Sequence, residues 1–138
     1  MKKILDWEIK FNAFVDKNKN KPFKWGTWDC CKFANAMIKE ITGADLIPAK
    51  LKWNDEASAM NAIKTYNKTL LKSIEKACKA KGIKEIEKVY VSKGDLVVYK
   101  EESELVGIHD GMCILSVSED GILTKESSLI IKAWNIDG

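Results

Sequence analysis

The chain has 138 residues, 31% of them charged, with a net charge of +3 carried entirely by lysine on the basic side, since no arginine occurs. That length supports one domain with a real core, residues 1–138, and not two comfortable ones. Scattered lysines without arginine speak against nucleic-acid recognition, and the absence of any long apolar run speaks against membrane insertion.

Four cysteines (Cys30, Cys31, Cys78, Cys113) and one histidine (His109) form neither a C-x-x-C pair nor a recognisable zinc spacing. No metal, cofactor or disulfide framework is expected from them. The start, Met1 to Glu8, lacks the apolar segment of a signal peptide, so synthesis in the cytoplasm is expected.

In chain order, Ile4, Trp7, Phe11, Phe14 and Val15 recur at helical spacing and predict a first helix, ended by the Lys17–Lys21 loop and Pro22. An aromatic loop follows, Pro22-Phe23-Lys24-Trp25-Gly26-Thr27-Trp28. Asp29 then stands directly before Cys30, which opens a second helix with Phe33, Ala34, Met37, Ile38 and Ile41 on one face and Gly43 past its end. A thiol at a helix N-terminus sits where unpaired N–H groups and the macrodipole favour the thiolate, the nucleophilic form. Cys30 is equally in register with the apolar stripe, which would make it a small core residue. Cys31 points away, beside Asn35.

After a loop containing Pro48, Asn54 is read as the N-cap of a third helix, with Asp55 and Glu56 in its first turn. A fourth runs from Leu70 to Gly82 and places Cys78 on its buried face. From Val89 the period changes to two. Asp95–Lys100, Leu105–His109, Met112–Val117, Ile122–Thr124 and Leu129–Ile136 predict strands, with Asp110-Gly111 as a two-residue hairpin that leaves His109 exposed. Helices first and an antiparallel meander second make the class α+β. Trp25, Trp28 and Trp53 either line a groove or pack, packing being the commoner role for aromatics beside a glycine turn.

Laid out this way, the chain resembles the NlpC-type branch of the papain-like cysteine peptidases, with the nearest likeness to small phage and prophage tail-associated proteins. The resemblance is carried by the 22–30 stretch, Phe33, Ile41-Thr42-Gly43, Gly94-Asp95-Leu96-Val97-Val98, Val106-Gly107-Ile108 and Ala133-Trp134-Asn135-Ile136. It implies N-terminal helices packed on a small C-terminal antiparallel sheet, Cys30 as nucleophile, and a strand histidine as its base. The implied reaction is amide cleavage in peptidoglycan stem peptides through a thioester. The implied setting is a virion tail, with other tail proteins and peptidoglycan as partners.

At the position that the resemblance gives to the histidine stands Leu105. His109 lies four residues on, on the same strand face but displaced by about 13 Å. Carboxylates such as Glu104 and Asp110 are alternative bases, and Asp29 and Asn135 are supporting polar groups. The expectation is a tail-tip or tail-assembly protein with this fold and lost catalysis. The alternative is an active peptidoglycan amide hydrolase that uses Cys30 and His109.

Overall fold

The computed structural model describes residues 1–137. Four helices precede a six-stranded sheet: α1 (Trp7–Asn18), α2 (Cys30–Thr42), α3 (Glu56–Asn67) and α4 (Leu70–Ala80). The strands are β1 (Lys84–Ile86), β2 (Leu96–Lys100), β3 (Glu104–His109), β4 (Ile114–Ser118), β5 (Gly121–Lys125) and β6 (Ile130–Asn135). Their order across the sheet is β1-β6-β2-β3-β4-β5, and every pairing is antiparallel. The class is α+β, as the change of period from helical to alternating spacing predicts.

The helix α2 is the centre of the core. Phe33, Ala34, Met37, Ile38 and Ile41 are all buried on its inner face. They meet Leu96, Val98, Val106, Ile108, Leu115 and Trp134 from the sheet. Each such aliphatic or aromatic side chain contributes about 1.5–3 kcal/mol through burial. A smaller cluster on the opposite face of the sheet joins Val97, Tyr99, Ile114, Ile130 and Ala133, with Leu105 packed against it. Because β2 is covered on both faces, its Leu-Val-Val-Tyr run is continuously apolar and does not alternate.

Several local expectations need correction. The α3 helix is capped by Asp55, not Asn54, because Ser58 at the third helical position completes a reciprocal capping box with Asp55. The short edge strand β1 and the single 3₁₀ turn Lys88–Tyr90 occupy the stretch around Val89, where the sequence predicted the start of alternation. The β3–β4 connection is the four-residue loop Asp110–Cys113. There Asp110 Oδ1 accepts the N–H groups of Met112 (2.8 Å) and Cys113 (2.7 Å), which lengthens the turn beyond two residues. The same loop covers His109, which is buried at 3% exposure and not an exposed hairpin residue.

One feature of the sheet positions everything that follows. The strands β3 and β4 pair only at Ile108↔Leu115 and His109↔Ile114. Toward the start of β3 they part. The aromatic loop enters there, with the Phe23 N–H donating to Ser118 O (2.9 Å) and a Lys24↔Trp28 bridge closing the loop on itself.

Two glycines test how tightly this entry is built. Both Gly26 and Gly43 have φ of 82°. A Cβ on Gly26 would collide with the Trp53 carbonyl oxygen and Asn54 Cα, whereas one on Gly43 would meet nothing within 4 Å. In chemical denaturation Gly43→Ala is expected to destabilise by about 1 kcal/mol, from left-handed strain alone. Gly26→Ala is expected to cost about 2–4 kcal/mol, because backbone atoms must move as well.

Candidate functional site

The site is built on one carboxylate. Asp29 is the N-cap of α2 and is 2% exposed. Its Oδ1 accepts the Lys32 N–H (2.9 Å); its Oδ2 accepts the Gly26 N–H (2.9 Å) and the Trp53 indole N–H (2.6 Å). Loop, helix start and the segment before α3 are therefore tied to a single side chain. Such charge-assisted bonds are roughly twice as strong as neutral ones.

Held in this way, Cys30 is the first residue of α2 and is half-buried. Its sulfur faces the start of β3, where the Val106 N–H points at it. The Val106 carbonyl is bonded by Ser116 Oγ (3.4 Å), so this residue bridges the parted strands through side chains. Cys31 does not turn away from this region. Both cysteines line one groove.

The two neighbouring thiols differ in acidity. Cys30 is held below the ordinary thiol value, first by the Cys31 thiol and then by the Val106 and Cys31 N–H groups, against the opposing effects of burial and Asp29. The pKa of Cys31 is raised well above the ordinary value, because its proton serves the Cys30 sulfur and because burial disfavours a second charge. Cys30 is therefore the more acidic of the two thiols.

The groove has a volume of about 310 Å³. Trp25, Phe23 and Trp53 form one wall, Ala59, Ile63 and Tyr66 of α3 a second, and Leu70, Ile74 and Ala77 of α4 a third. Glu104 and Leu105 close it at the start of β3. Of the three tryptophans read as either lining a groove or packing, Trp28 is core, whereas Trp25 and Trp53 face the groove. Cys78 is buried in the core, and its pKa is pushed up to about 12, chiefly by burial.

His109 is not among the groove residues. Its Nδ1 accepts the Gly111 N–H (3.1 Å), which puts the proton on Nε2, and Nε2 bonds Ser127 Oγ (2.8 Å). Ser127 Oγ in turn donates to Met112 O (3.0 Å). Burial lowers the imidazole pKa, with Asp110 and Asp95 opposing, so the ring is neutral at pH 7. Both nitrogens hold the β3–β4 turn. Asp95, which the resemblance brought forward in the Gly94-Asp95 motif, is likewise structural. It is buried, it accepts from the Ser92 N–H (2.8 Å), and its backbone pairs with His109.

The alternative bases are also committed elsewhere. Glu104 Oε1 accepts the Leu71 N–H (3.1 Å) at the start of α4, and Asp110 holds the hairpin loop. Asn135 ends β6, two strands away from β3, and accepts the Asp137 N–H (3.0 Å). Among the described residues, no group of three or more His, Cys, Asp and Glu side chains could hold a metal ion.

With this geometry in hand, comparison with known families is informative at one level. The chain belongs to the family described as Domain of unknown function (DUF6950). Its family model matches residues 2–136, almost the whole chain. No protein of curated function matches the sequence. The family membership spans both the α2 start and the β3 strand, so the Cys30–Val106 junction lies inside one matched unit.

Two outcomes follow from the site. Cys31→Ala removes the thiol donor, so the pH profile of Cys30 alkylation should move to higher pH, and Cys31→Ser should restore part of the shift. His109→Ala should destabilise the fold by about 1–3 kcal/mol in urea titrations, through the lost turn bonds, while leaving the alkylation profile of Cys30 in place.

Proposed function

We propose that this chain is an NlpC-like domain of the papain-like fold that has lost amide hydrolysis and serves as a tail-tip or tail-assembly component of a phage or prophage. The observation that carries the loss of hydrolysis is the environment of Cys30. The groove that Cys30 lines contains no histidine, and the β3 position that the resemblance gives to the base is Leu105.

Amide cleavage needs a proton delivered to the departing amine. A histidine beside the cysteine would collect a proton in the first step and return it in the second. The groove has no histidine to do this; its carboxylates are Asp29, which caps α2, Glu56 in the first turn of α3, and Glu104. Glu104 is the one carboxylate beside Leu105, and it is bonded to the α4 backbone. The tail setting and the papain-like assignment rest on the motif order from Pro22 to Ile136, together with the observed contact between a helix-borne cysteine and an antiparallel sheet. Within that setting, tail proteins are the partners and peptidoglycan is a surface that the tail meets.

Incubation with purified peptidoglycan and synthetic stem peptides, followed by chromatography, is expected to release no more peptide from wild type than from Cys30→Ser. Release that depends on Cys30 would establish the hydrolase instead. Mass spectrometry of purified tail particles from an induced lysogen carrying the gene should find the chain in the particle.

A further inference from the structure

The groove differs from the rest of the molecule in the sign of its charge. Lysine supplies 23 of the 138 residues, yet no lysine lines the groove, whose charged lining is Asp29, Glu56 and Glu104. A chain of net charge +3 therefore carries a concave site that is both apolar and acidic. We infer that this groove binds a small organic ammonium ion, its apolar body along α3 and α4 and its charge beside Glu56, Trp25 and Trp53. The inference uses the lining of the groove and not the thiols, so it stands apart from the loss of hydrolysis.

The three carboxylates are not equally available. Asp29 spends both oxygens on the N–H groups of Gly26, Lys32 and Trp53, and it is buried. Glu104 gives one oxygen to the Leu71 N–H. Glu56, exposed in the first turn of α3, forms no ion pair among the described residues. A helix start offsets only about half a unit charge, so a full carboxylate placed there stays net negative. Glu56 is the charge left free to meet a ligand, and the other two acids disfavour an anion in the same space.

The aromatic side chains suit the same ligand. Phe23, Trp25, Trp53 and Tyr66 line the groove, and the faces of such rings attract ammonium groups. Two of them already take one. Lys32 Nζ lies 4.6 Å from the Trp53 centroid and Lys76 Nζ 4.3 Å from that of Tyr66, and neither lysine lines the groove. Trp53 is fixed by its indole bond to Asp29 (2.6 Å), and Trp25 by an edge-to-face contact with Phe23 (4.9 Å between centroids). Rings ordered before the ligand arrives cost little to order on binding.

The remaining walls set the body. Ala59 and Ile63 of α3 and Ile74 and Ala77 of α4 offer no polar side-chain atom. The volume of about 310 Å³ is roughly twice that of an apolar cavity that takes benzene, enough for a phenyl ring on a short alkyl arm.

The test titrates the full-length protein with three probes that share one body: phenylpropylammonium, phenylpropanol and phenylpropanoate. Calorimetry gives the affinities, and the tryptophan indole N–H signals in NMR give the place. The ammonium probe is expected to bind about fivefold or more tighter than the alcohol, with the carboxylate weakest. The Trp25 and Trp53 signals should move, and that of Trp134 in the core should not. Glu56→Gln should lower the preference for ammonium over alcohol by about two- to fivefold, the range of an exposed ion pair, and leave the alcohol affinity in place. The three-probe comparison on wild type needs no variant, so a misfolded mutant does not decide the matter. The inference is overturned by no saturable binding at millimolar probe, by alcohol or carboxylate binding as tightly as the ammonium, or by shifts confined to Trp7, outside the groove. An unchanged preference in a folded Glu56→Gln variant would overturn it as well. Release of stem peptides would instead overturn the non-hydrolytic reading, and a separate assay reports it.

Discussion

The structure depends on the buried carboxylate of Asp29. A charge at 2% exposure is tolerated only when it is fully bonded, and its three donors come from three different segments. The Lys32 N–H fixes where α2 begins. The Gly26 N–H fixes the shape of the aromatic loop. The Trp53 indole brings the connection before α3 over the loop and makes one wall of the groove. Loss of any one donor would leave the others holding a less well compensated charge, so the three segments are ordered together. The Cys30 sulfur is placed against β3 as a consequence of that arrangement.

The same interaction explains why the loop sequence is what it is. Gly26 is required by a positive φ and by the approach of the Trp53 backbone. Trp28 fills the core beside Phe14 and Phe33. Asp29 caps, and Phe33 packs. Each of these residues has a structural account that makes no reference to chemistry. Cys30 and Cys31, half-buried at the edge of the core, also line the groove.

Much of this was legible from residue types because the local signals agree with the tertiary outcome. The α2 stripe from Phe33 to Ile41 follows its periodicity, Gly43 ends the helix, and the β-branched and apolar runs mark β2 to β6 even where, as in β2, they do not alternate. The failures have identifiable causes. Asn54 and Asp55 are adjacent cap formers, and Ser58, three residues beyond Asp55, was the signal that separates them. Cys31 lies about 100° around the helix from Cys30. Helical position alone therefore directs it away, but in the first turn it still lines the groove beside its neighbour. The groove was not legible at all, because its walls come from segments between Phe23 and Leu105 that only the fold brings together.

His109 shows why a residue type at nearly the right place is weak evidence of a role. The strand spacing correctly separates it from Cys30, yet its burial was missed because the Asp110–Cys113 loop was taken to be a tight turn. A neutral imidazole that accepts from Gly111 and bonds Ser127 meets every demand of a satisfied buried histidine. It does not line the groove that Cys30 lines, and to serve Cys30 it would have to give up both bonds. The turn bonds and a catalytic dyad are therefore mutually exclusive uses of the one histidine, and this fold has spent it on the turn. What is left at the head of α2 is a pair of thiols lining a groove without a histidine, Cys30 the more acidic of the two.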